Sequence, residues 1–112
     1  MTTLLDLIGI HEAEFTPLMT PRERFEAFHH ANPAIYLELE TMARELWERG
    51  RRRIGIRMLW ETLRWNYNMR VVRDDSIARL NNNYTPFYAR LLVEVHPDWV
   101  GLFQLRGDNA RD

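Results

Sequence analysis

The chain of 112 residues contains no cysteine and no lysine. Without cysteine, disulfides, thiolate zinc sites, iron–sulfur clusters and thiol catalysis are all excluded. Without lysine, every basic residue is arginine. GC-rich coding explains that, and so does recognition of phosphate or guanine by guanidinium forks, and composition does not separate the two. No apolar run approaches the roughly 18 residues of a membrane span. The opening Met1-Thr-Thr-Leu-Leu-Asp-Leu-Ile lacks the basic region of a signal peptide, so a cytoplasmic setting is expected. Repeats, low-complexity tracts and Gly/Ser linkers are missing too, and a 13.5 kDa chain fits one domain.

What is present is a globular composition, 46% hydrophobic, with charge laid out unevenly. The formal net charge is −1. Residues 51–73 nevertheless carry Arg51, Arg52, Arg53, Arg57, Arg64, Arg70 and Arg73 against a single acid, Glu61. The stretches on either side are acidic. A basic block in an acidic domain binds a polyanion locally without a basic isoelectric point. It pairs equally well with acidic helices of its own chain, and that is the commoner fate of a charge run.

Three organisational units are expected: an N-terminal segment 1–19 with a short helix capped by Thr3 and Asp6, a helical domain 20–106, and a tail 107–112. Thr20-Pro21-Arg22-Glu23 is a capping box with proline at the first helical position, and Asn32-Pro33 ends that helix and opens the next. The second helix, 33–49, presents Ile35, Leu39, Met42, Ala43 and Leu46 on one face and stops at Gly50. A third helix, 53–66, buries Ile56, Leu59, Trp60 and Leu63, with Tyr67 after them. Ile54, Met58 and Trp65 fall on its opposite side, which suggests a second packing partner such as another copy of the chain. Met69–Val72 reads as a strand, 73–76 as a turn and Ile77–Leu80 as a return strand. Asn81, Asn82 and Asn83 break the pattern as a capped turn, a fourth helix covers 86–95, and Trp99, Leu102 and Phe103 close the core.

The expected fold is therefore mainly α with a small β-hairpin, similar to a winged helix-turn-helix. In that frame Arg53, Arg57 and Arg64 face base edges. Arg51 and Arg52 at the turn, with Arg70, Arg73 and Arg79 on the hairpin, hold phosphates, and Asn82 adds an amide. Ile54, Met58 and Trp65 form the interface of a homodimer. Trp47, Trp60, Trp65 and Trp99 invite base stacking, although most lie at core spacing, and Trp65 beside Arg64 is the one off the main apolar face.

Enzymatic signatures are thin. His11, His29, His30 and His96 include no His-Glu-x-x-His pair, and neither a phosphate loop nor a Gly-x-Ser-x-Gly elbow occurs. Asp74-Asp75 is half of a magnesium site or an ordinary turn. No catalysis, cofactor or metal is expected.

The strings Phe25-Glu-Ala-Phe-His-His-Ala-Asn-Pro33, Gly50-Arg-Arg-Arg-Ile-Gly-Ile56, Leu59-Trp-Glu-Thr-Leu-Arg-Trp65, Leu80-Asn-Asn-Asn-Tyr84 and Tyr88-Ala-Arg-Leu-Leu92 resemble a group of small, functionally unassigned proteins of bacteriophages and prophages. The resemblance spans roughly residues 22–106. It implies a mobile-element origin in a bacterial cytoplasm, and carries no activity to transfer. The function expected is regulatory binding of duplex DNA. The alternative is a protein-binding inhibitor or adaptor of a host protein, acting through Glu38, Glu45 and Glu48 and the two-sided third helix.

Overall fold

The structure is a computed structural model and describes residues 10, 13–70, 80 and 82–103. Four helices appear: α1 (Pro21–Ala31), α2 (Pro33–Glu48), α3 (Ile56–Arg70) and α4 (Thr85–Val95), with single 3-10 turns at Asn82–Tyr84 and Pro97–Trp99. No strand occurs among the described residues.

The start of α1 follows the capping chemistry. Thr20 Oγ1 accepts from the Glu23 backbone N–H at 3.1 Å, and Glu23 Oε1 accepts from the Thr20 N–H at 2.9 Å. These bonds hold the Glu23 carboxyl below its usual range, the Thr20 backbone bond most strongly. Only Asn32 separates α1 from α2. Its buried side chain donates to the Phe28 carbonyl at 3.1 Å, and its backbone N–H serves Phe28 and His29. Pro33 then begins α2, where its missing N–H costs nothing.

α2 and α3 lie side by side in opposite directions. Arg70 near the end of α3 meets Glu38 in the first half of α2 at 2.8 Å, and Asn66 shares a groove with Met42. The pair is an αα-hairpin, and α4 packs against α3. Leu39 and Ala43 of α2, Trp60 and Leu63 of α3, and Tyr88, Ala89 and Leu92 of α4 are fully buried between them. Aromatic pairs join α1 to α4 and to the turn before it: Phe25 meets Tyr88 edge-on at 4.8 Å, and Phe28 stacks on Tyr84 at 4.4 Å. Trp99, Leu102 and Phe103 close the core as their spacing suggests.

The winged helix-turn-helix expectation is corrected here. Met69 and Arg70, read as the first strand of a hairpin, are the last residues of α3. Continuing the helix buries Tyr67 and sets Arg70 over its ring at 4.5 Å while the same guanidinium pairs with Glu38. A helical turn delivers those contacts together, and they outweigh the β-propensity of the following valines. The rest of the expected hairpin, 71–79, lies outside the described residues. What is described is all helical. The start of α3 also moves, from Arg53 to Ile56, because Ile54 is drawn into the core and its N–H donates to the Leu102 carbonyl. Among the described residues no helix is long and apolar enough to cross a membrane.

Candidate nucleic-acid interface

The chain leaves α2 through a Schellman motif. Gly50 has φ +94°, a left-handed value that glycine adopts without strain, and its N–H bonds to the Trp47 carbonyl at 3.0 Å. The Arg51 N–H reaches back to the Leu46 carbonyl at 2.9 Å. These bonds satisfy two carbonyls at the end of α2. Four residues on, buried Ile54 and its bond to Leu102 pin the other side. The segment between is held at both ends, so its arginines project from a defined backbone.

Those arginines divide by what they touch. Arg52 lies 3.7 Å over the Trp47 ring and donates to the carbonyls of Trp47 at 2.8 Å and Arg51 at 2.9 Å. Its charge complements the C-terminus of α2. Arg64 donates to the Leu80 carbonyl at 3.1 Å and so ties α3 to the approach of α4. Arg70 is committed to Glu38, Tyr67 and the Asn66 carbonyl. Hydrogen bonding to Glu38 raises its already high pKa further. By contrast, the Arg51, Arg53 and Arg57 side chains are exposed and make no hydrogen bond or ion pair among the described residues. Arg49, which the sequence reading counted only as the end of a helix, is equally open. Its signal was its place in the run Arg49-Gly-Arg-Arg-Arg53.

Arg73 and Arg79 lie outside the described residues. Asn82 opens the 3-10 turn before α4. Of the expected dimer surface, Met58 and Trp65 are exposed, at 51% and 65%, but Ile54 is 6% exposed and belongs to the core. That assignment is corrected: the buried position follows from Ile54 preceding the helix rather than lying on it. Met69 at 65% and Leu37 at 56% are further exposed apolar side chains on α3 and α2. Trp60 and Trp99 are buried and Trp47 half-buried, which leaves Trp65 as the accessible indole.

A second polar cluster was not anticipated as a unit. Glu40 Oε2 lies 2.7 Å from His96 Nε2, accepts from the Tyr36 hydroxyl at 3.0 Å, and has Arg44 at 4.0 Å. His96 stacks on Trp99 at 3.9 Å. The hydrogen bond from His96 holds the Glu40 carboxyl below its ordinary range, helped by Tyr36 and Arg44. Burial and the same carboxylate raise the Tyr36 phenol. Tyr36, Glu40 and Arg44 are legible as neighbours four residues apart on one helix. Their partner 56 residues away is not. The arrangement clamps α2 to the end of α4. Among the described residues no group of three His, Asp or Glu side chains converges as a metal site.

Comparisons with protein-family models, with curated proteins and with solved structures find no match to this chain, so the role of the arginine turn rests on its own chemistry.

Proposed function

We propose that the protein binds nucleic acid, without catalysis, by gripping the sugar–phosphate backbone with the turn between α2 and α3. One observation carries this reading: residues 49–57 contain five arginines and no acid, and four of those guanidinium groups are open. Unpaired guanidiniums on a pinned backbone match phosphate oxygens in bidentate geometry, and their fields add within a Debye length of about 8 Å. Arg57 begins the exposed side of α3, but the next residue along that side is the exposed acid Glu61, and Arg64 beyond it is occupied. The turn therefore supplies phosphate contacts, which position, more than base contacts, which specify. The phage resemblance implies a bacterial cytoplasm and suits a DNA-binding regulator and an inhibitor of a host system alike. A homodimer would put two turns on one duplex, with Met58 and Trp65 as apolar surface for it.

The test is fluorescence anisotropy with duplex and single-stranded oligonucleotides over a series of salt concentrations. Four phosphate contacts predict a log–log salt slope of about −3 to −4 on duplex. Replacing Arg51, Arg53 and Arg57 together by alanine is expected to leave the fold intact and to reduce that slope by about 3. A folded triple variant that binds as tightly as the parent would end the proposal.

A second reading has its own observation. Leu37, Met58, Trp65 and Met69 are more than half exposed, and a shallow groove of about 330 Å³ runs between α2 and α3 beside Leu37, Met42 and Asn66. Methionine- and tryptophan-rich exposed surface is typical of protein-binding faces. Under this reading the chain is an inhibitor or adaptor of a host protein, and binding would be nearly indifferent to salt. Of the acidic residues first considered for that face, Glu38 is already held by Arg70, while Glu45 and Glu48 are exposed.

A further inference from the structure

At the start of α1 the chain leaves a cleft of about 560 Å³ that the arginine turn does not touch. The turn connects α2 to α3, whereas this cleft lies between the segment before α1, the first turn of α1 and the first turn of α4. Its volume falls within the range of small-molecule sites, roughly 300–1,000 Å³. Three aromatic rings from three parts of the chain line it: Phe15 from the segment before α1, Tyr84 from the 3-10 turn, and Phe87 from α4. Phe15 is nearly half exposed, which leaves much of its ring open to the cleft.

Arginine gathers around these rings, with Arg22 ion-paired to Glu26 at 4.0 Å. Arg24 lines the cleft, sits 5.9 Å from the Phe15 ring centre, and makes no ion pair among the described residues. Arg22 and Arg90 lie 5.6 and 5.3 Å from the centre of the Phe87 ring. Among the described residues no acid lines the cleft, and the nearby Glu23 is turned to the Thr20 cap. Asn83 lines the cleft as well.

We infer that this cleft binds a flat aromatic ring bearing a negative charge, of the class of a nucleobase carrying a phosphate: the ring stacks among Phe15, Tyr84 and Phe87, and the anion meets Arg24. Stacking on aromatic side chains accepts any base because every base has a π-face, so the site would tolerate different bases. The ligand is either a free nucleotide or an unpaired nucleotide of a strand, and both present the same two groups. The inference is independent of the arginine turn.

The experiment follows backbone amide signals by heteronuclear NMR during titration with AMP, adenosine, inorganic phosphate and a hexanucleotide of adenylate. AMP is expected to shift amides of residues 15–24 and 83–87. Adenosine and phosphate alone should each bind at least about tenfold more weakly, because each offers half of the recognition. Arg24→Ala is expected to weaken AMP about tenfold or more and leave adenosine nearly unchanged, while Phe15→Ala weakens both. Phe15 and Arg24 are exposed, so neither change threatens the core.

Shifts with the hexanucleotide on the variant lacking Arg51, Arg53 and Arg57 would assign the ligand to a strand, and shifts with AMP alone would assign a free nucleotide. Either outcome supports the cleft even if the turn proves inert. Unmoved amides at millimolar AMP, or phosphate binding as tightly as AMP, would overturn the inference.

Discussion

The arginines between positions 49 and 70 fall into two sets according to what their nitrogens touch, and neighbours in sequence fall on opposite sides of the division. Arg52 is bound by two carbonyls and a tryptophan ring, while Arg51 and Arg53 are open. Composition and spacing treat these three alike, because a guanidinium's partner depends on which carbonyl or ring the turn brings near. Buried polar atoms show the same dependence. The Tyr88 hydroxyl and the Trp60 indole N–H are fully buried, their rings 5.6 Å apart, and neither finds a partner among the described residues. A buried hydroxyl with no acceptor is a cost to the fold. Tyr88→Phe should therefore leave thermal stability unchanged or raise it by up to about 1 kcal/mol. A clear fall in melting temperature would show that the hydroxyl has a partner in solution.

At the scale of elements, capping was the most legible feature. Thr20, Pro21 and Glu23 define the start of α1, Asn32-Pro33 the break to α2, and Gly50 the stop after it, each through backbone chemistry local to a few residues. Gly50 gives a direct test. Space around it is open, since a Cβ there would meet nothing within 4 Å, so any penalty is purely conformational. Gly50→Ala is expected to destabilise by about 1–2 kcal/mol through its left-handed φ, and Gly50→Asn by less. Urea midpoints of the two variants would check the order, and equal midpoints would mean that the turn relaxes to a different conformation. The end of α3 was less legible. Met69-Arg-Val-Val72 has strand-like composition, yet Met69 and Arg70 are helical because Arg70 reaches a glutamate on another helix. Local propensity has no access to a partner 32 residues away.

Across the whole molecule, the Glu40–His96 contact joins the middle of α2 to the residue that ends α4. Its consequence is a pH dependence with a definite sign. The folded state favours ionised Glu40, so the contribution is complete above the ordinary carboxylate range and disappears as pH falls through the lowered pKa. Glu40→Gln should be less stable than the parent near neutrality, and the difference should shrink at pH near 3. Chemical denaturation at the two pH values measures it. A difference that stays constant would place the contribution in packing instead of charge. His29 works in the same direction, since burial, aided by His30, lowers its pKa and disfavours the protonated form in the fold. Stability is therefore lost as pH drops through the ordinary histidine range.

Read alone, the amino-acid order determined three things: where α1 begins and where α2 begins and stops, the inward stripe of each helix, and where arginine gathers. Each is settled by interactions within about one helical turn or by the period of hydrophobicity. Tertiary structure decided the rest. It placed Ile54 in the core and left Met58 and Trp65 outside, extended α3 into the expected strand, and engaged Arg52, Arg64 and Arg70 while leaving Arg49, Arg51, Arg53 and Arg57 open. It also assembled an aromatic cleft from three separated segments. The physical reason is common to all of these. A charge or a ring is assigned its role by whatever long-range packing brings within a few ångströms, and that neighbour is not encoded at any fixed distance along the chain.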